Sequence, residues 1–215
     1  MANPQVLRGA VVQMQSALAV AKTITAITKA SEAVITATHD FAIGDLIVIT
    51  GVLGMTEIND RVVRVKAVST TVSFTAEGID STNWTTYVSG GTAQKVSTFV
   101  TFDNITQFSL PDSPPNEIDV TTIHDDEKQV IFGQRDFPKG TLSLNGDPLS
   151  PTSVEMSKAE DTNTRRAFKV KLKSGYTGIF NAYVSGGAGL DGSAGAVGTA
   201  SASLTLRNKT QWFAS

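Results

Sequence analysis

Cysteine is absent from the 215-residue chain, which excludes disulfide bonds, thiol nucleophiles and zinc sites built from thiolates. Histidine is scarce, because only His39 and His124 occur. A metal site made of several histidines of one chain is therefore not expected, and each histidine is interpreted as a surface residue of a loop or strand. No metal, cofactor or catalytic residue is predicted.

Long apolar runs are also missing. No stretch approaches the roughly 20 apolar residues that a membrane-spanning helix needs, so no membrane contact is predicted. The apolar residues that follow Arg8 are interrupted by Gln13, Gln15 and Ser16, and their alternation predicts a half-buried strand, not a signal peptide. The net charge of −2 gives no general attraction for nucleic acid.

What the sequence does contain is a series of short segments typical of β-strands. Three strands are predicted near the C-terminal end, at residues 168–172, 178–185 and 202–206. In the first and last of these, apolar and polar side chains alternate, which predicts one buried face. The buried positions of these two strands are Phe168, Val170, Leu172, Ala202, Leu204 and Leu206.

One helix is predicted among these strands. It follows Leu149, with Pro151 just ahead of a capping box formed by Thr152 and Glu155. Strands of this kind with a single helix predict a mainly β fold, an antiparallel β-sandwich or half-barrel with one flanking α-helix. The chain is long enough for one sizeable core or two smaller ones.

Residues 22–95 have their own rhythm of short strands and turns, which predicts a small all-β unit. Removing them joins the N-terminal strand to a strand that begins at Val96, so we interpret residues 22–95 as an insertion at a loop tip. The remaining residues, 1–21 and 96–215, then form one discontinuous core domain. Strands of the insertion are predicted at 23–28, 33–38, 45–50, 61–68, 72–75 and 86–88. Its predicted core is Phe41, Leu46, Val48, Val63, Val65 and Phe74.

The stretch from residue 103 to residue 147 combines a weakly alternating strand with a rigid turn. Pro111, Pro114 and Pro115 fix backbone angles and remove three N–H donors, so the turn is expected at a sheet edge or rim. A β segment at 118–123, a loop at 132–140 and a strand at 141–147 are predicted after it.

Charge is segregated along the predicted core domain. Residues 97–127 contain seven acids and no lysine or arginine, whereas residues 128–215 contain eleven bases and six acids. One interpretation is a pair of solvated faces. The other is a self-assembling protein in which the asymmetry supplies complementary edges and sets the sign of an inner channel.

Several enzyme patterns are incomplete in this sequence. Residues 187–192 match G-x-G-x-x-G, but the Gly/Ala-rich continuation does not begin a helix, so a flexible loop is predicted instead of a dinucleotide site. Ser193 lacks the glycine pattern of a nucleophile elbow. Adjacent acids such as Asp125 and Asp126 point in different directions and do not form a glycosidase pair.

Two regions resemble known families. Asp119, Thr121, Gly133, Arg135, Gly140 and Gly146 stand where the major tail tube proteins of long-tailed, siphovirus-type phages, the lambda-like family, have a similar sequence pattern. The order of strand, helix and three closing strands is similar to that family too. Residues 39–59 resemble the small β module named after the first catalytic-cysteine half-domain of ubiquitin-activating enzymes, which also occurs in phage structural proteins. Without cysteine, that module implies no ubiquitin chemistry.

The tail tube resemblance implies a structural virion protein and not an enzyme. Hexameric rings would assemble in the host cytoplasm and stack into a tube through which double-stranded DNA passes without specific binding. The implied partners are the tape measure protein and the tail terminator and tip proteins. The alternative is a carbohydrate-binding or surface-binding, adhesin-like β protein.

Within the tail tube interpretation, the acidic stretch supplies candidates for the channel wall, and loops supply candidates for contacts between subunits or rings. The candidate lumen-facing acids are Asp112, Glu117, Asp119, Asp125, Asp126 and Glu127. The candidate contact residues are Pro111, Pro114, Pro115, Arg135, Phe137, Gly187, Gly189, Leu190 and Gly192. The N-terminal arm is a further candidate for contacts between rings.

Overall fold

The computed structural model of the chain describes residues 7–69 and 71–214, and within them the fold is mainly β with one α-helix, as predicted. The strands are β1 (Val11–Leu18), β2 (Lys22–Ile27), β3 (Val34–Ala37), β4 (Leu46–Leu53), β5 (Arg61–Ser69), β6 (Ser73–Ala76), β7 (Ser89–Phe102), β8 (Ile105–Ser109), β9 (Pro115–Asp119), β10 (Val130–Arg135), β11 (Lys139–Asn145), β12 (Arg166–Lys171), β13 (Thr177–Gly186), β14 (Thr199–Leu206) and β15 (Gln211–Phe213). A 3₁₀ turn covers Thr56–Ile58, and helix α1 covers Pro151–Asp161.

Seven antiparallel strands form a curved half-barrel in the order β7-β1-β12-β13-β14-β11-β8. Its interior is crossed by a row of four aromatic rings. Phe108 on β8 lies 6.5 Å from Phe180 on β13, Phe180 stacks on Phe168 at 5.0 Å, and Phe168 lies 6.5 Å from Phe102 on β7. Because β8 and β7 are the two ends of the strand order, this row shows that the sheet curls around one core.

The predicted inward positions of the half-barrel are confirmed. Side chains at every second position of β12 and β14 are buried, and Leu142 and Leu144 of β11 face the same core. The buried members from the two predicted strands are Phe168, Val170, Leu172, Ala202, Leu204 and Leu206. This core forms because strand alternation puts these apolar groups on the same face of the sheet.

Helix α1 packs on this core through Met156 and Ala159, which are both buried. Its N-terminus differs from the prediction. Ser150 is the N-cap, and its hydroxyl oxygen accepts a hydrogen bond from the backbone N–H of Ser153 at 3.2 Å. Thr152 lies inside the first turn, so the predicted capping box of Thr152 and Glu155 is wrong. A serine before the proline caps the helix because proline fits the first turn, where its missing N–H is not needed.

The other large unit is a closed barrel. Its six strands follow the order β2-β3-β6-β5-β4-β7, and β7 pairs back with β2 through Lys22 opposite Ala93 and Thr23 opposite Thr92. Phe41 and Phe74 meet edge to face at 5.4 Å inside it. The barrel core is Ile24, Ile27, Ala33, Ile35, Phe41, Ile47, Ile49, Val52, Met55, Ile58, Val63, Val65, Phe74, Ala76, Ile79 and Ala93.

Two local predictions for the barrel are wrong. No strand forms at residues 86–88, where the described chain is irregular, and β7 begins only at Ser89. His39 is not a surface residue, because it is 4 % exposed and its ring stacks on Phe41 at 4.8 Å. Its Nδ1 accepts a hydrogen bond from the backbone N–H of Phe41 at 3.0 Å. Aromatic packing with one satisfied ring nitrogen therefore makes burial possible.

The barrel rests against the half-barrel through an apolar junction. Leu46, Val48 and Val62 on the outside of the barrel pack against Ile179 and Phe213. Leu46 and Val48 were predicted in the barrel core, and this is wrong because β4 is buried on both of its faces. Strand β7 runs through both units, pairing with β4 and β2 in its first half and with β1 in its second half.

A polar contact at Asp60 reinforces the junction. The backbone oxygen of Asp60 accepts a hydrogen bond from Nδ2 of Asn181 at 2.9 Å, and its carboxylate forms an ion pair with Arg165. The guanidinium of Arg64 on the barrel lies over the ring of Phe213 at 4.2 Å. Barrel and half-barrel are thus joined by one continuous strand, an apolar patch and several charge-assisted contacts.

Candidate assembly surface

A β-hairpin separate from the large sheet stands at the centre of the candidate surface. Strands β9 and β10 pair only with each other among the residues that the structure describes. The predicted β segment at 118–123 is largely wrong, because β9 runs from Pro115 to Asp119 and shares only Ile118 and Asp119 with it. The predicted loop at 132–140 is wrong, because residues up to Arg135 belong to β10 and β11 begins at Lys139. A two-stranded hairpin is only marginally stable without further packing.

The two faces of the hairpin differ in chemistry. Ile118 lies opposite Ile131, and these isoleucines share one face. The other face carries two acids and two apolar residues, because Glu117 lies opposite Phe132 and Asp119 lies opposite Val130. Ile118 is 43 % exposed, Ile131 53 % and Phe132 69 %. Large apolar side chains are thus left uncovered on both faces of a small sheet.

Gly133 explains how the isoleucine face is built. A β-carbon at this position would lie 3.1 Å from Cδ1 of Ile118, which is closer than ordinary packing allows. The missing side chain therefore leaves room for Ile118 to lie flat across the hairpin. This is a local steric reason for a glycine at position 133.

The turn that joins the two strands is held by hydrogen bonds to carboxylates. Oδ1 of Asp119 accepts bonds from the hydroxyl and the backbone N–H of Thr121, at 2.6 and 2.9 Å. Oδ2 of Asp125 accepts bonds from the backbone N–H and the hydroxyl of Thr122, at 2.7 and 2.9 Å. These bonds lower the pKa of both aspartates, with the Thr121 hydroxyl as the main cause for Asp119 and the Thr122 N–H for Asp125.

The structure distributes the six candidate acids over three places, all of them exposed. Asp112 lies in the segment before the hairpin, where its carboxylate is 3.4 Å from Nζ of Lys209. Glu117 and Asp119 lie on the mixed hairpin face. The remaining three, Asp125, Asp126 and Glu127, lie in the hairpin turn. Five of the six candidate acids therefore lie on the hairpin, and Asp112 lies outside it.

The proline segment connects β8 to the hairpin. Pro111 and Pro114 are exposed, and Pro115 is half-buried at the start of β9. The chain is anchored just before this segment, where Leu110 packs against the half-barrel core. Two fixed φ angles in a row at Pro114 and Pro115 restrict the direction in which the hairpin leaves the body.

Strand β8 is an open edge of the half-barrel. It pairs with β11 on one side, and no strand of the described chain pairs with its other side. A surface cavity of about 400 Å³ lies there, between residues 7–10 and residues 105–108. The unpaired edge presents backbone groups that another chain can bind. The N-terminal arm lies partly outside the described residues, which begin at Leu7.

Arg135 and Phe137 line a second surface cavity, of about 350 Å³, together with Arg61, Arg207 and Lys209. The guanidinium of Arg207 lies 5.3 Å from the centre of the Phe137 ring. Burial and then the charge of Arg207 lower the pKa of Arg61. Sequence reasoning selected Arg135 and Phe137 but missed the other bases, because they come from β5 and from the end of β14, far apart in the chain.

The Gly/Ala-rich loop after β13 is anchored at both ends. Gly187 has a φ of +98°, and a β-carbon there would lie 2.7 Å from the sulfur of Met156. Leu190, although 59 % exposed, lies in the space left by Gly146, and Asp191 exchanges backbone hydrogen bonds with Thr199 at 2.8 and 2.7 Å. The candidates Gly189 and Gly192 lie between and beside these anchors. The loop does not begin a helix, as predicted from its Gly/Ala-rich sequence.

Residues 7–69 and 71–214 hold no group of three or more potential metal ligands and no helix with the length and apolar character needed to cross a bilayer.

Comparison with protein families gives a match to the model described as phage tail tube protein, TTP, over residues 53–214. The match takes in the second half of the barrel, β8, the hairpin, helix α1 and all strands that follow. Comparison with curated proteins gives no match. The resemblance of residues 39–59 to the small module of ubiquitin-activating enzymes stays a prediction.

Proposed function

Because the chain belongs to the phage tail tube protein family, whose members are structural components of the virion tail, we propose that it forms hexameric rings that stack into the tail tube. The role is structural and not enzymatic. Rings assemble in the host cytoplasm, with the tape measure protein, the terminator and the tip proteins as partners. Double-stranded DNA passes through the tube without specific binding. The ring number, the partners and the place of assembly follow the family.

The observation that carries this proposal is that the half-barrel has an unpaired strand edge and the hairpin has an uncovered apolar face. Strand β8 leaves one edge unpaired within the described chain, and the hairpin leaves Ile118 and Ile131 uncovered. A second subunit can pair with the open edge of β8, and it can cover the apolar face of the hairpin, which is only marginally stable by itself. In a ring each subunit both receives and provides such a contact, so no edge remains.

The difference between the two hairpin faces also supports a proposal for which face lines the channel. If the isoleucine face packs against a neighbouring subunit, the opposite face with Glu117 and Asp119 turns away from that contact and toward the lumen. Acids there repel phosphates, which favours passage of DNA over adhesion. The proline segment and the loop from Gly187 to Gly192 are proposed as contacts between subunits or rings. The barrel is proposed as an inserted domain on the outside of the tube.

Negative-stain microscopy of the purified chain at increasing concentration tests the proposal. Rings or tubes of uniform diameter are expected. Persistent monomers with affinity for glycans would reject the tube and support the adhesin-like alternative. Sedimentation velocity on the same samples gives the mass of the smallest closed species and so tests the ring number independently of the images.

A further inference from the structure

The cavity at the base of the hairpin is strongly basic. Arg61, Arg135, Arg207 and Lys209 line it, and Asp136 is the acid that also lines it. These bases come from β5, the end of β10 and the turn between β14 and β15, so the fold brings together charges that are distant in the chain. Four bases around one open space of about 350 Å³ create a positive potential that attracts an anionic partner.

Much of this positive charge is uncompensated within the described residues. Arg61 forms no ion pair there, and its Nε donates to the backbone oxygen of Glu57 at 2.7 Å. Burial and the nearby Arg207 lower the pKa of Arg61. Arg135 forms no side-chain hydrogen bond or ion pair in the described chain. Arg207 and Lys209 have carboxylates only at 3.8 Å and 3.4 Å, which leaves donors free for stronger partners.

A suitable anionic group lies at the far end of the hairpin. Asp126 and Glu127 are exposed in the turn, whereas the carboxylate of Asp125 is occupied by Thr122. The turn cannot enter the cavity of its own chain. Pairing of β9 with β10 extends from Arg135 at the cavity to Val130, about 16 Å along the strand. Folding back would break that pairing, so the carboxylates of the turn can reach such a cavity only on another molecule.

We infer that the basic cavity of one subunit receives the acidic turn of a second copy of this chain, with Asp126 and Glu127 as the carboxylates that contact its arginines and lysine. The inference rests on the proposed self-assembly and names the contact that directs it. Such a contact is heterologous, since the cavity and the turn are different surfaces, and repetition of a heterologous contact closes a ring when the rotation permits. Charge complementarity would also speed correct encounters.

Charge reversal on each side of the contact tests this pairing in the full-length chain. The cavity variant is Arg135→Glu with Lys209→Glu, which changes exposed residues and turns an excess of bases into an excess of acids. The turn variant is Asp126→Lys with Glu127→Lys. Each variant alone is expected to need at least about a tenfold higher concentration to assemble, because like charges then meet. A mixture of the two is expected to assemble near the wild-type concentration, since each reversed surface then finds its complement.

A matched control has the same charge change elsewhere. Lys29→Glu with Lys173→Glu alters two exposed residues outside the cavity and should assemble like the wild type. Added salt should raise the concentration needed by the wild type, because partly exposed ion pairs are screened. Near-ultraviolet circular dichroism of each variant verifies that it is folded.

The possible results separate this contact from the proposed function. If the cavity variant forms rings at the same concentration as the wild type, the docking is refuted and the proposed tube is not. Loss of assembly in both folded variants, with no recovery in the mixture, would also refute it. Normal assembly with altered DNA release would assign the cavity or the turn to phosphate contact in the channel instead. A wild-type chain that never assembles would reject both the tube and the docking.

Discussion

The barrel and the half-barrel differ in whether the chain completes them. Each barrel strand has two neighbours, since β7 returns to β2 and closes the circle, and the core inside is sealed. The half-barrel stops at β8, and the hairpin beside it pairs only with itself in the described chain. A closed sheet has no free edge, whereas an open edge can pair with another chain. This difference is the reason for proposing that assembly uses the incomplete region.

The distribution of charge shows the same difference. Several acids of the barrel form ion pairs within it, as in the pairs of Arg64 with Glu77 at 2.5 Å and Lys66 with Glu32 at 2.6 Å. On the hairpin, the only ion pair among described residues joins Asp119 to Lys128 at 3.8 Å. Among the described residues, four acids of the barrel and one acid of the hairpin are thus paired with a base of their own unit.

Deletion of residues 22–95 is the largest test of this comparison. Joining Ala21 to Val96 leaves a three-residue connection, because Leu18 already pairs with Val96. The half-barrel should fold, since its core is separate. It should also associate non-specifically, because Ile179 and Phe213 are no longer covered by the barrel. Burial of these two side chains contributes about 3–6 kcal/mol, which is lost when they are exposed to water.

A second deletion variant with Ile179→Thr and Phe213→Ser should be soluble and should form rings, at a higher concentration than the full chain because the cavity lacks Arg61. Near-ultraviolet circular dichroism and microscopy measure these outcomes. A collapsed near-ultraviolet spectrum in the polar variant would mean that the barrel is integral to the core and is not an inserted domain.

Substitution of the isoleucine face is the next largest test. Ile118→Thr with Ile131→Thr keeps β-branched residues in the hairpin but removes apolar surface. Each isoleucine is about half exposed, so covering it contributes about 1 kcal/mol, and together they should change the assembly concentration by about tenfold or more. Stability of the monomer should change by less than about 1 kcal/mol, because the residues are exposed.

The barrel supplies the control for this test. Ile43 and Leu53 are 69 % and 58 % exposed there. Ile43→Thr with Leu53→Thr removes a similar apolar area from the region that the chain completes, and assembly should not change. Equal effects of the two pairs, measured by sedimentation, would show that assembly depends on general surface hydrophobicity and not on the hairpin.

The difference between the two regions also explains which structural features the sequence revealed. Leu142 and Leu144 on β11, like Leu204 and Leu206 on β14, alternate with polar residues, because one face of each strand is solvent-exposed. Such alternation predicts a strand from neighbouring residues alone. Strand β10 was missed because neither of its faces is buried, so Val130 to Arg135 shows no apolar alternation.

The remaining misses depend on tertiary contacts. In β4, Leu46 to Ile49 are all buried, so the sequence shows that both faces are covered but not which unit covers each face. The basic cavity joins Arg61 to Arg207 across 146 positions of the chain, and no local pattern predicts such a meeting. The excess of acids between Asp112 and Glu127 was visible in the sequence, but the position of each acid on a hairpin face or in its turn depends on the fold.

The smallest test compares the same aspartate–threonine contact in the two regions. In the barrel, the backbone N–H of Thr82 donates to Oδ1 of Asp80 at 2.9 Å, and hydrogen bonds from Thr82 lower the pKa of Asp80. In the hairpin, Thr121 does the same for Asp119. A lowered pKa means that each contact stabilises its turn above the ordinary aspartate pKa and is lost as pH falls through the lowered value. Thr82→Val and Thr121→Val should each raise the pKa of the partner aspartate.

Assembly should separate these two aspartates. If copies of Asp119 line a channel, like charges approach one another and raise its pKa in the tube relative to the monomer, whereas the pKa of Asp80 on the outer barrel stays the same. The hairpin turn would then loosen at a higher pH in the tube than in the monomer. NMR measures the pKa of both aspartates from their carboxyl carbon shifts during a pH titration. The monomer is titrated in solution and the tube in the solid state. A fall in the pKa of Asp119 on assembly would place it against basic residues of a neighbour, and an unchanged value would place it outside the channel, so either result would remove the acidic hairpin face from the proposed lumen.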